Sequence, residues 1–410
     1  MSTATELTLG VLRDAVRTAV AFRCRRRLQP AGGEGDKVFP PTFAGAVYAI
    51  EKRHVPGRPA PVPCVLLDSV QSQANRMEQA LQEAIDAGKI VLPHVVVDFS
   101  EYDPSDTGTV EKEKLINSVG KITSLQVPHR LADAILRDSE LNGTPFRDSD
   151  KGKALNRVSL MNATPLFELG PTALLFGMWD STGPKGGLGP KFERAIVSEV
   201  VGIDAEWQDD YRARGVRRDP LEVRSAVKVI KSNTSWRLAD EKDKKGAIEP
   251  SKINHSSVPF ESKNSGVTIQ YAEQTTTLSL IVLRRLRFPV NGITDENRDV
   301  AARTVLAALG LTAATLAFES GMGLRSRCLL WPEGPMTWEL LDKPGQPPRL
   351  FASSSEQMIA MFKQAIDVAK EMKLPWPEEP VTLKPSKNLV ELVRLSQMEA
   401  TREEADTSRG

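Results

Sequence analysis

Arginine at alternate positions is the strongest chemical signal in the chain. Residues 11–30 carry Arg13, Arg17, Arg23, Arg25, Arg26 and Arg27 against one acid, Asp14. From Val16 to Leu28 the pattern has period two. Val16, Val20, Phe22, Cys24 and Leu28 fall on one face, and Arg17, Arg23, Arg25 and Arg27 on the other. This predicts a half-buried strand with a basic outer face. Arg26 interrupts the apolar face near the strand end, where it can snorkel out. Alternate strand residues stand about 7 Å apart. That is close to a stretched phosphate repeat, and guanidinium groups pair with phosphate through two hydrogen bonds. A solvated edge or an ion-pair ladder would show the same alternation.

Three further groups carry anion-binding chemistry. The turn Gly183-Pro-Lys-Gly-Gly-Leu-Gly-Pro-Lys has glycines that let backbone N–H groups approach an anion, with Lys185, Lys191 and Arg194 adding charge. It has neither the Gly-Lys-Ser/Thr of a Walker A loop nor GxGxxG, and it equally suits a flexible hairpin. GMGLRSR, with Arg325 and Arg327, has the same character. The helix opening DSVQSQANR crowds Ser69, Gln71, Ser72, Asn75 and Arg76 onto the first two turns, where free N–H groups attract phosphate. Ser and Asn are also ordinary capping residues there. Lys37, in the loop after the arginine strand, joins the basic set.

A catalytic centre is harder to assemble. His54, His94, His129 and His255 have no HxxxH or HExxH spacing, and no GxSxG elbow exists. His94 sits in an apolar strand and suits a hydrogen-bonded core position. Asp36, a loop aspartate close to the arginine strand, is the one acid that invites a nuclease hypothesis; a solvated loop acid is the plainer reading. The expectation is a non-enzyme with no cofactor and no metal.

The elements that must position these groups follow from composition and period. The 410 residues are 40% apolar and 26% charged, enough for a real core, and the net charge is only +1. A nucleic-acid binder with so little net charge must concentrate its positive charge locally. Cys24, Cys64 and Cys328 lie far apart with no CxxC, which argues for reduced thiols and against a disulfide framework or zinc site. No basic-then-apolar leader opens the chain, and no apolar run approaches the ~20 residues that span a bilayer. A cytoplasmic protein is expected. Asp68 caps a helix with Val70, Ala74, Met77, Leu81 and Ile85 on one face, ended by Gly88. IVLPHVVVDF and TALLFGMW suit buried strands, and LEVRSAVKVIKS alternates. TTTLSLIVLRRLRF predicts an amphipathic strand with Leu278, Leu280, Val282, Leu286 and Phe288 inward and Arg285 and Arg287 outward. Thr294 caps an alanine-rich helix to Phe318, a helix runs from Ser355 to Met372, and a shorter one from Leu389 to Met398 precedes a flexible tail. Strands alternating with helices, arginine on one strand face, and helices on the other predict an α+β sandwich of the ferredoxin or RRM type.

The segments LQPAGGEGDKVFPPTFAG, CVLLDSVQSQANRMEQAL, LPHVVVDF and TALLFGMWDSTGPKGGLGPKFERAIVSEV together resemble the RAMP-superfamily backbone subunit (Cas-seven type, Csb group) of the type I-U, now type I-G, CRISPR Cascade complex. The resemblance runs from about residue 15 to 205, with a weaker echo to about 330. It implies a modified RRM palm with finger and thumb insertions. The palm would be 1–99, with a glycine- and proline-rich loop at 30–63, then 161–232 and 267–350. The finger-like insertion would be 100–160, the thumb 233–266, and 351–410 C-terminal helices and tail. It further implies copies stacked in a helical filament along the guide RNA (crRNA), holding its backbone while its bases pair with a target DNA strand. Other Cascade subunits, a large subunit and an RNA-processing RAMP subunit, are the implied partners, with no membrane. The implied RNA contacts are Arg23, Arg25 and Arg27, the Ser69–Arg76 helix start and the Lys185–Arg194 turn. The aromatics of an ordinary RRM are missing from the arginine strand, which argues against base stacking on it. Two rivals stay open: an RNA-cleaving RAMP protein using Asp36, and a small-molecule phosphate-binding enzyme built on the glycine-rich turn.

Overall fold

The computed structural model describes residues 4–44, 47–106, 108, 114–184, 186–206, 216–217, 227–231, 235–240, 242–243, 246–250, 258–259 and 266–409. The chain forms two compact units. One comprises Met1–Phe99, Gly120–Glu206 and Gly266–Ser386; the other Ser100–Val119, Trp207–Ser265 and Lys387–Gly410. About half of the expected thumb at 233–266 lies outside the described residues, as does most of LEVRSAVKVIKS.

The first unit is built on a nine-stranded sheet. Its chain order is α1 (Leu9–Thr18), β1 (Ala21–Pro30), β2 (Ile50–Arg53), β3 (Val62–Asp68), α2 (Val70–Asp86), β4 (Ile196–Ile203), β5 (Tyr271–Ser279), α3 (Glu296–Glu319), β6 (Met322–Arg325), β7 (Cys328–Pro332), β8 (Trp338–Leu341), β9 (Arg349–Phe351) and α4 (Ser355–Glu371). The spatial order is β6-β7-β1-β5-β4-β3-β2, all neighbours antiparallel. On the edge of β1 opposite β5, β8 pairs with residues 21–23 and β7 with residues 28–30. The series β1-α2-β4-β5-α3-β7 with spatial order β7-β1-β5-β4 is the double split βαβ arrangement of ferredoxin-like folds. The protein is α+β, as its element order predicts.

The apolar side of the sheet is covered by helices. In β1, Phe22, Cys24 and Leu28 are buried while Arg25 and Arg27 are exposed. The alternation holds, but the strand starts at Ala21. Val16 belongs to α1, where Leu12, Ala15 and Val16 form the buried face. Arg26 does not snorkel; it is 7% exposed on the helix side. α3 is buried nearly all round from Asp299 to Thr315. By length and composition it could cross a bilayer, contrary to expectation, yet 89% of its apolar window is buried within the chain. It is the core helix.

Several local expectations are corrected. TALLF is a short helix, Thr172–Phe176, and the strand is only Met178–Trp179. The long strand expected through TTTLSLIVLRRLRF stops at Ser279, whose side chain caps a helix at Leu280–Arg284. Leu280, Leu283, Leu286 and Phe288 are still buried, since a helical turn and an alternating strand share part of their spacing. The caps of α2 and α3 are Ser69 and Asp295, each one residue beyond the expected Asp68 and Thr294. In the second unit the C-terminal helix spans Lys387–Arg409, where a shorter helix followed by a flexible tail is expected.

Candidate nucleic-acid interface

The polar residues at the start of α2 fold inward as much as outward. Asp68 at the end of β3 is fully buried and accepts hydrogen bonds from Ser72 Oγ at 2.8 Å, Gln73 Nε2 at 2.6 Å and Arg76 Nε at 2.9 Å. Arg325 Nη2 approaches the same carboxylate at 3.4 Å. The charge on Asp68 therefore gathers two arginines from elements far apart in sequence, and each also donates to backbone. Arg76 Nη2 donates to Leu324 O at 2.7 Å, and Arg325 Nη1 to Phe39 O at 3.3 Å. Ser69 serves as the helix cap, accepting from Ser72 N. Gln71 and Asn75 stay exposed and bond to each other at 2.9 Å, and Arg194 Nη2 donates to Gln71 Oε1 at 2.5 Å.

Contacts through Asp68, Gln71 and Phe39 thus bring together residues from separated stretches: Gln71, Asn75 and Arg76 on α2, Arg194 after the glycine-rich turn, and Arg325 and Arg327 at the β6–β7 hairpin, with Lys37 two residues before Phe39 in its loop. Arg327 is exposed, takes a left-handed backbone (φ +56) at the hairpin tip, and lies 4.8 Å from the Phe39 ring. Arg76 and Arg325 are anchored by Asp68; Lys37, Arg194 and Arg327 extend the positive rim.

The glycine-rich turn tips a hairpin whose strands are Met178–Trp179 and Lys191–Phe192. Its N–H groups bond within the turn: Gly186 N donates to Gly183 O and Gly189 N to Gly186 O, both at 2.9 Å. A Cβ on Gly189 would stand 1.8 Å from Asp180 O, and one on Gly183 2.5 Å from an Asp180 carboxylate oxygen. Close approach to Asp180, itself buried and 2.8 Å from Arg147 Nη1, explains these two glycines without an anion. Lys191 Nζ lies 5.3 Å from the exposed Trp179 ring. Lys185 lies outside the described residues.

The arginine strand faces the opposite, helix-free side of the sheet. Arg23 pairs with Glu339 at 2.5 Å and Arg25 with Glu273 at 2.9 Å, while Arg27 lies 4.1 Å over the Tyr271 ring. Two of the three strand arginines therefore belong to cross-strand ion pairs. Between sheet and helices runs a buried polar chain. Arg26 Nη2 donates to Gln274 Oε1, Gln274 Nε2 to Gln73 Oε1 at 2.7 Å, and Gln73 to Asp68. Ser198 Oγ also donates to Gln73 Oε1 at 2.9 Å. Arg26 stacks 3.6 Å over Phe318, and burial pulls its pKa down to about 10. Sequence reasoning missed this chain; a glutamine or serine at an inward strand position, as at Gln274 and Ser198, is its only signal. It also missed Trp331, which is 71% exposed on the arginine side of β7.

Asp36 Oδ1 accepts from Lys37 N at 2.8 Å. Among the described residues no three His, Cys, Asp or Glu side chains are grouped as metal ligands. His94 is a core residue, 8% exposed, its Nδ1 2.8 Å from Leu92 O.

No curated protein matches the chain. Residues 22–207 match the family described as CRISPR-associated protein GSU0053. The matched stretch, just under half of the chain, contains β1 from Phe22 onward, the helix start around Asp68 and the glycine-rich hairpin.

Proposed function

We propose that this protein is CRISPR-associated, a non-catalytic, cytoplasmic backbone subunit that binds the guide RNA of a type I-G Cascade complex. In this reading copies line the guide in a filament, alongside a large subunit and an RNA-processing RAMP subunit. The observation that carries the reading is the cluster in which Arg76, Arg194, Arg325 and Arg327 gather near the N-terminus of α2 on a ferredoxin-like sheet, with Lys37 on the loop that leads into Phe39. Backbone-directed cations of this kind hold phosphates and leave base edges free to pair, which is what presentation of a guide to target DNA requires.

RNA affinity should fall steeply with salt as bound counterions are released. Replacing Lys37, Arg194 and Arg327 together by Ala spares the Asp68 anchor. It should weaken binding to all RNA sequences alike and reduce the log–log salt slope by about 2, at roughly 0.7 per lost single-strand phosphate contact. An unchanged slope would place the guide elsewhere. Cutting of bound RNA by the wild type that disappears in Asp36→Ala would favour the nuclease rival instead.

A further inference from the structure

We infer that Trp331 and Arg27 form a stacking site for one unpaired nucleobase of a bound RNA strand, on the helix-free face of the sheet. The inference rests on the guide-binding reading and adds a contact to the base itself. β7 alternates buried Cys328 and Leu330 with exposed Leu329 and Trp331, so both large apolar side chains stand on the arginine side. Trp331 lies opposite Gln29 of β1, with Leu28 opposite Pro332. Arg27 is consequently its diagonal neighbour, roughly 7 Å away by strand geometry. Gln29 is held in place, its Nε2 donating to Glu333 Oε1 at 2.8 Å and Gln270 O at 3.4 Å.

The arrangement has the chemistry of a nucleotide subsite. The indole presents an open π-face to a base, and aromatic side chains on a four-stranded sheet stack single-stranded RNA in this way. Arg27 is the strand arginine that lies over a ring, Tyr271, and it takes part in no ion pair among the described residues. Its guanidinium is therefore placed for the phosphate of the stacked nucleotide. The arginine face of β1 has no aromatic, since its Phe22 is buried on the helix side, and the neighbouring strand supplies one on the arginine face. A second copy of the chain is the less suitable occupant: the exposed apolar patch is two side chains flanked by Arg27, Gln29 and Glu333, whereas a stable protein interface needs about 800 Å² per partner. Stacking without base-edge contacts predicts tolerance of any base.

The test is fluorescence anisotropy with a labelled RNA hexamer and its abasic counterpart, against wild type, Trp331→Ala, Trp331→Phe and Arg27→Ala. Trp331→Ala should bind the intact hexamer roughly 5- to 150-fold more weakly, with its melting temperature and salt slope unchanged. Trp331→Phe should recover most of the affinity, and Trp331→Ala should no longer distinguish intact from abasic RNA. Arg27→Ala should lower the salt slope by about 0.7. Wild-type affinity in Trp331→Ala overturns the inference and leaves guide binding standing. If that variant also loses RNA-free self-association, the face is a contact between copies. A wild type that binds neither RNA overturns both readings.

Discussion

At the scale of single residues, the basic groups divide by what holds them. Arg76 and Arg325 are organised by a fully buried carboxylate, so they combine binding and structural roles, while Lys37, Arg194 and Arg327 can be removed without opening the core. The residue types were legible in the sequence, but their partners were not. Arg23 meets Glu339 and Arg25 meets Glu273, acids hundreds of residues away along the chain. A local excess of arginine over acid therefore overstated the free charge of the strand. The cysteines illustrate the converse. Their isolation predicts reduced thiols, and Cys24, Cys64 and Cys328 are all free and buried. Burial pushes each thiol above its ordinary value of 9.0. A raised folded-state pKa makes this contribution to stability full below about 9 and lost as pH climbs from there through the folded values. All three thiols should resist a thiol-reactive dye at pH 8 in the native protein and react in full after denaturation. Rapid native labelling of any one of them would contradict the packing.

At the scale of elements, a buried ion pair fastens α2 to the segment before the glycine-rich hairpin. Glu78 and Arg130 are both nearly inaccessible and bond twice, at 2.7 and 2.8 Å, and Arg130 Nη1 also donates to Gly177 O at 3.0 Å. Arg130→Met should leave a buried carboxylate without its partner and cost roughly 3–5 kcal/mol in a denaturant melt. Adding Glu78→Leu should restore much of that loss, because the uncompensated charge goes with it. Long periodic elements were legible: α2, α3 and α4 were anticipated nearly to their ends, and β1 by its alternation. Short apolar runs were not. TALLF and SLIVLRR satisfy helix and strand spacing alike, and only packing decides between them.

At the scale of the whole chain, the long excursion between β4 and β5 leaves and re-enters the first unit at one place. Glu206 and Thr268 exchange backbone hydrogen bonds at 2.9 and 3.0 Å, and Val267 pairs with Val38. The base of the excursion is therefore closed by backbone pairing within the first unit. Replacing 208–264 by a short Gly/Ser linker should leave the main thermal transition nearly unchanged. If the segment is the guide-clamping thumb, cooperative coating of long RNA should be lost while binding of a hexamer persists. A large fall in the melting temperature would assign the segment to the core instead.

The pairing of β1 has a consequence for how the protein is made. Arg26 and its hydrogen-bonding partner Gln274 are 248 residues apart, and every strand neighbour of β1 lies at or beyond Tyr271. On a ribosome adding about 5–20 residues per second, β1 waits roughly 12–50 s before its first partner emerges. Through that interval its apolar residues Phe22, Cys24 and Leu28 have no sheet to join, though α2 and β3 are already available to each other. Completion of the sheet is thus a late, non-local event of the slow kind expected when loop closure precedes contact formation. Slower growth temperature or chaperone supply should raise the soluble yield more than any surface substitution would, because the vulnerable species is the nascent chain.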